Sequence, residues 1–284
     1  MQIPRHIQYL LIGILLLLCA GGIAYYVGNK LLQRANDIPY AIEPYQTADG
    51  SYCNIAFIPL TGALWASQAD ADAQTATDQS DNTSGEAILS ELERAKDDSS
   101  IQGVVLRVDS PGGSPTGGEM IANALKSLGK PSAAVIMDEG DSAAYLASTG
   151  ANVIIASPFS DVADIGVTSS YVDTAGSDTQ NGDQFVQVAA GKYKDVGNPN
   201  MPATAAGTAY LQTLVESDYQ VLTTEIAQNR SIPLKEILSL ADGNSLTGSM
   251  AMGTGLIDKL GDLTTAQQWF AQKLGKGSHP VLCN

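Results

Sequence analysis

Three short stretches of this 284-residue chain carry side chains that could do nucleophilic chemistry. In Asp141-Ser142-Ala143-Ala144-Tyr145, a polar break separates an apolar, strand-like run from a helix of small residues. Ser142 would open that helix, where a hydroxyl gains from the positive helix end and the Ala143 N–H has no partner within the helix. The plain alternative is N-capping, for which Asp141 is a second candidate. Upstream lies Asp109-Ser110-Pro111-Gly112-Gly113, whose paired glycines let the backbone approach a ligand closely. Amides turned outward there would serve a developing oxyanion, each such donor being worth about 3 kcal/mol. Downstream lies Gly191-Lys192-Tyr193-Lys194-Asp195, which supplies two lysines.

A serine hydroxyl needs a proton acceptor. The two histidines, His6 and His279, lie near the chain ends, so the acceptor falls to a lysine held neutral. An ordinary lysine titrates near 10.4, and lowering that by about 3 units costs roughly 4 kcal/mol, which burial can supply. Lys192 and Lys194 both sit in a glycine-rich segment after a strand, and this reasoning does not choose between them. The shortage of histidine also speaks against a metal site. Cys19, Cys53 and Cys283 are too widely spaced for a C-x-x-C motif. No Walker-type glycine-lysine motif occurs, so neither a metal nor another cofactor is expected. Cys19 lies in the apolar N-terminus, leaving Cys53 with Cys283 as the one pair open to a disulfide in an oxidising compartment.

The elements that must position these residues follow from hydrophobic periodicity. Asn54–Leu60, Gly103–Val108, Ser132–Met137 and Val153–Ala156 read as strands. Helical spacing falls at Ala87–Ala95, Gly118–Leu128 and Ser142–Ser148. Strand and helix alternating through short links argue for an α/β fold of parallel strands and crossover helices. In such a fold the loops after the strands gather on one side, which brings Gly112 and Ser142 to one cleft. Further on, Ile165–Val172 and Phe185–Ala189 read as strands. Ala205–Gln228 reads as a long amphipathic helix with a stripe from Leu211 to Ile226, and Pro233–Leu240 and Thr264–Leu274 read as helices.

The chain divides into a short tail (1–7), a transmembrane anchor (8–29), a stalk (30–53) and one domain (54–284). The anchor is read from a run without charge, flanked by Arg5 and Lys30, and long enough to span a bilayer. A cleaved signal peptide ending in the small residues after Cys19 is the competing reading. Residues 68–84, polar and without apolar pattern, read as a mobile acidic loop. The net charge of −15, from 30 acids and 15 bases, works against nucleic-acid partners.

Val104-Val105-Leu106-Arg107-Val108-Asp109-Ser110-Pro111-Gly112-Gly113 resembles the first signature of the signal peptide peptidase A family of serine peptidases. Ser142-Ala143-Ala144-Tyr145 falls on the second, and Gly191-Lys192-Tyr193-Lys194 on the third. The resemblance covers roughly residues 54–265, with Arg230 and Gly255-Leu256-Ile257-Asp258 as further landmarks. It implies a Clp/crotonase-like spiral fold and a serine endopeptidase with Ser142 as nucleophile and Lys194, rather than Lys192, as base. Gly112, Gly113 and Ala143 would hold the oxyanion. It also implies unfolded peptides or signal-peptide remnants as substrates, an extracytoplasmic domain, and a homo-oligomer in which the lysine can reach the serine of a neighbouring subunit. Asp141 and Ala143-Ala144 depart from the family's alanine and glycine pair, and Asp164 replaces a serine. A silenced peptide-binding scaffold is therefore the second reading, and a crotonase-type acyl-CoA enzyme the third.

Overall fold

The computed structural model describes residues 52–78, 82–275 and 277–283. The expected anchor and all but the last two residues of the stalk lie outside the described residues. Among the described residues no helix is long and apolar enough to cross a membrane. In chain order the elements are β1 (Ile55–Thr61), β2 (Leu64–Trp65), α1 (Gln68–Asp78), β3 (Thr83–Ser84), α2 (Gly85–Asp97), β4 (Gly103–Ser110), α3 (Pro115–Lys126), β5 (Ser132–Asp141) and α4 (Ser142–Ser148). They continue with β6 (Val153–Ala156), β7 (Asp161–Ala163), α5 (Ala175–Asn181), α6 (Ala205–Arg230), α7 (Leu234–Leu240), β8 (Ser245–Thr247), α8 (Gly248–Ala251), β9 (Lys259–Leu260) and α9 (Leu263–Leu274).

The valine-, isoleucine- and alanine-rich runs pair as a parallel sheet in the order β1, β4, β5, β6, β9, as the α/β reading expects. Because side chains alternate along a strand, each strand feeds two cores. Ile58, Val104, Leu106, Ala134, Ile136 and Ile154 face the helices α2, α3, α4 and the end of α6. Ile55, Val105, Ala133, Val135, Val153 and Ile155 face the other way, under Phe270 of α9. Such two-sided burial gives continuous apolar runs in the sequence.

β5 changes partner along its length, and this positions the site. Val108 of β4 lies opposite Ile136, but Ser110 lies opposite Gly140, so β5 carries two extra residues between these pairs. Up to Ile136 it pairs with β6; from Glu139 to Asp141 it pairs with β7, which takes β8 antiparallel. The irregularity carries the end of β5 past the sheet and delivers Ser142 beside the loop after β4.

Several expectations fail for identifiable reasons. Residues 68–84 hold a helix, α1, and a short strand rather than a loop alone. Ser67 Oγ accepts the Asp70 N–H at the start of α1 and Gln68 donates to Asp72 one turn on, so local bonds support a helix with almost no apolar face. Ile165–Val172 and Phe185–Ala189 are not strands. Ala163 and Asp164 take φ of 86° and 40°, which ends β7 before the first, and Phe185, Val186 and Val188 of the second are exposed. In α6 the expected stripe is buried only at its C-terminal end, at Leu222 and Ile226, while Leu214 is exposed.

The Cys53–Cys283 disulfide is formed. It fastens a C-terminal strap whose Leu282 bridges to Ile55, with the Cys283 N–H donated to the Ile55 carbonyl (2.8 Å).

Candidate active site

Ser142 is the first residue of α4, and it takes φ +51°, the left-handed region that costs a residue with a side chain about 1 kcal/mol or more. Strand β5 enters and helix α4 leaves within this one residue. The serine is half-buried, whereas Ala143 to Ser148 are all buried. Asp141 stands at the cap position but its side chain makes no capping bond, so the capping alternative for Asp141 is not realised and the first amides of α4 keep their capacity to donate.

The glycine pair is pressed against this turn. Gly112 has φ 92°, and a Cβ on it would lie 2.7 Å from the Asp141 carbonyl, 2.8 Å from Ser142 Cβ and 2.9 Å from the Ala143 nitrogen. No other residue fits there. Gly113 pairs with Leu64 of β2: the Leu64 N–H is donated to Gly112 O (2.8 Å) and the Ser114 N–H to Leu64 O (2.7 Å). In a parallel bridge of this form the Gly113 amide points away from Leu64. The Gly112 N–H is donated to Ser110 Oγ (3.2 Å), so it already has a protein partner. Gly113 and Ala143 both line the cavity of about 590 Å³ onto which Ser142 opens, together with Pro111, Pro115, Asp164 and Leu222.

α4 is anchored from below. Tyr145, fully buried, donates its hydroxyl to the Leu256 carbonyl (2.8 Å), and burial pushes its phenol up so that it remains a neutral donor. Arg230 at the end of α6 grips the Asp258 carboxylate (2.7 and 3.1 Å) and the Gly255 carbonyl (2.8 Å). Asp258 in turn accepts the Ile154 N–H of β6 (2.7 Å). The Arg230 and Gly255–Asp258 landmarks thus brace the helix that bears the serine.

Two carboxyl groups flank the serine. Asp141 is 7% exposed; Oδ2 accepts from Ser245 Oγ (3.3 Å) across β7, while Oδ1 has no hydrogen-bond partner. Burial, followed by the charge of Asp164, pushes the Asp141 carboxyl up to about 6. Nothing in the residues around Ser245 predicts that it reaches this point, since only the β7–β8 pairing brings it there.

Lys194 is elsewhere. It is exposed, on a turn closed by its own N–H to the Gly191 carbonyl (3.2 Å), and it is not among the residues lining the Ser142 cavity. Lys192, also exposed, lies over the Tyr193 ring (4.7 Å to its centre), which stacks on Tyr210 of α6. The segment therefore rests on the N-terminal half of α6, not on the serine turn. Among the described residues the Ser142 hydroxyl has no hydrogen-bond partner, and no ion pair joins Asp164 to Lys194. No group of histidine, cysteine and acidic side chains suited to a metal occurs among the described residues.

A serine in a left-handed turn between strand and helix, with Gly113 and the first residue after the serine on the same cavity, resembles the frame used by α/β proteins that carry out acyl transfer through serine. Residues 124–276 match the model of peptidase family S49, over more than half of the chain, and the chain belongs to that family. A Methanocaldococcus jannaschii protein named as a candidate protease is 34% identical over 176 residues, 61% of this chain and 56% of its own length. Protease 4 of Salmonella typhi is 30% identical over 191 residues, 65% of this chain and 30% of that one. The chloroplastic serine protease SPPA of Arabidopsis thaliana is 26% identical over 193 residues, 65% of this chain and 28% of that one. The matched part of this chain spans about half the length of the first relative and under a third of the other two.

Proposed function

We propose that this protein is a membrane-anchored serine endopeptidase acting on unfolded peptides such as signal-peptide remnants, with Ser142 as nucleophile and Lys194 as general base. The observation that carries the reading is the Ser142 turn: a left-handed serine that Gly112 alone can pack against, open to a cavity it shares with the Gly113 and Ala143 amides. Neutral Lys194 takes the hydroxyl proton, Ser142 Oγ attacks the peptide carbonyl, and the amides of Gly113 and Ala143 receive the oxyanion. The lysine-borne proton passes to the leaving amine, and water then releases the acyl group.

The base comes from a neighbouring copy of the chain. Exposure of Lys194 supports this, as do the exposed Val186 and Val188 in the segment before it and Leu214 on α6, which would be covered in a homo-oligomer. Burial between subunits is also what a lysine needs in order to lose its proton. The disulfide supports an oxidising, extracytoplasmic location for the domain, and the uncharged run at 8–29 supports the anchor.

Fluorophosphonate labelling and peptide turnover test the reading. Ser142→Ala should lose both, with turnover down by about 10³-fold or more. Lys194→Ala should fall as far in turnover. Mixing the two inactive variants before assembly should restore about a quarter of wild-type turnover if subunits exchange at random and each site draws on two copies. Labelling that survives Ser142→Ala would remove the nucleophile assignment. Peptide binding without turnover by the unaltered protein would favour the silent scaffold, for which the buried Asp141 beside Ser142 is the motivating observation.

A further inference from the structure

The cavity at Ser142 does not end at the serine. A second cavity of about 240 Å³ shares Pro115, Asp218 and Leu222 with it and runs on between α3 and α6 to Glu119 and Glu225. One wall is the turn Pro115–Glu119 of α3, the other the two turns Asp218–Glu225 of α6, with Leu222 buried between them. Asp164 and Asp218 line the part nearest the serine; Glu119 and Glu225 line the far part. No lysine or arginine lines either cavity.

Among the described residues these carboxylates are not neutralised by any direct ion pair, and none of the four has a side-chain hydrogen bond. Burial, and then the charge of Glu119, pushes the Glu225 carboxyl up; Lys126 offsets this only from the side, since its ammonium is donated to Asn229 Oδ1 (2.9 Å). Asp141, which precedes Ser142 and lines neither cavity, keeps a buried carboxyl oxygen without a partner and feels the charge of Asp164. A cleft that holds the reacting serine, has an apolar floor and accumulates uncompensated negative charge fits an extended peptide with cationic side chains.

We infer that this cleft selects peptides carrying lysine or arginine, with Asp164 and Asp218 facing a basic residue next to the scissile bond and Glu119 and Glu225 facing a second one further along. The spacing follows from the walls. Seven residues of helix rise about 10 Å, which is roughly three residues of extended chain. The inference rests on the peptidase reading above, since it takes Ser142 as the point where the substrate is cut.

The test uses the full chain and two peptides of one sequence that differ only in having lysine or glutamine at two positions three residues apart. At low ionic strength the lysine peptide should be favoured about tenfold in kcat/KM, and the preference should shrink in 0.5 M salt as screening grows. Glu119→Gln/Glu225→Gln and Asp164→Asn/Asp218→Asn should each bring the two kcat/KM values closer, to within about twofold of each other for the four changes together. Equal kcat/KM values for the two peptides in the unaltered protein, or a preference that survives all four changes, would overturn the inference. Cleavage of neither peptide would strike the peptidase reading instead. The charge preference is then read from the anisotropy of the same peptides, fluorescently labelled, on Ser142→Ala: about tenfold tighter lysine-peptide binding supports it, and equal binding sinks it.

Discussion

Ser142 stands on a helix whose other six residues are buried, braced by Tyr145, Arg230 and Asp258, with a glycine packed onto its turn. Lys194 follows a stretch in which every residue from Asn181 to Lys192 is exposed, against the half of α6 that the core does not cover. The two regions differ in what fixes them. At the serine, sheet register and helix packing fix the backbone within one chain. At the lysine, short turns and the stacked Tyr193 and Tyr210 give local order, and no core lies beneath. On the reading proposed above, the nucleophile and its amides belong to the fold, whereas the base belongs to the assembly that would cover the arm.

The greatest loss is expected from a change at the preassembled end. Gly112→Val puts carbons within 3 Å of the Asp141 carbonyl and Ser142 Cβ in a backbone region valine rarely adopts. Peptide turnover and fluorophosphonate labelling should both fall by about 10²-fold or more; labelling at the wild-type rate would show that the serine turn tolerates displacement. Next, Cys53→Ser/Cys283→Ser should cost about 2 to 4 kcal/mol in denaturant unfolding while leaving the serine reactive once folded, because the strap lies at β1 and not at α4. An unchanged midpoint would mean the strap holds without its covalent bond.

A smaller effect is expected from Asp141. Its carboxyl titrates near 6 in the fold against an ordinary 3.8, so the fold disfavours the charged form. Stability contributed by the protonated form is complete below about pH 4 and is lost as pH rises through 6. Asp141→Asn should therefore flatten the fall in unfolding free energy between pH 4 and 7, and be the more stable protein at pH 7.5 by roughly 2 kcal/mol. Parallel pH profiles for the two proteins would rule out the buried anion. Smallest of all in the monomer, Leu214→Glu on the exposed half of α6 should change unfolding by less than about 0.5 kcal/mol. It should nonetheless lower the assembly size seen by light scattering; an unaltered size would locate the subunit contact elsewhere.

How much was legible in advance follows the same division. β4, β5, β6 and α4 were readable because their apolar residues are committed to two buried faces, and the glycine pair because only a turn or a close approach explains it. The change of partner along β5 was not readable, since Met137-Asp138-Glu139 has the polarity of an ordinary strand end. Nor was β8, which brings Ser245 to Asp141 through pairing with a strand of three residues. On the arm, Phe185, Val186 and Val188 mimic a strand because apolar residues left exposed look the same in sequence as those buried in a sheet. The helix at 68–78 escaped because alanine and local hydrogen bonds support it without a buried stripe.

The strap along β1 also bears on how the domain comes into being. The outer neighbour of the first strand is supplied by Val281 to Cys283, with Cys283 lying 230 residues beyond Cys53, so a chain emerging from its N-terminus must leave that edge open until this segment arrives. The sheet is sealed only then, and a product lacking Val281 to Cys283 would be released with an unpaired flank exposed to its neighbours.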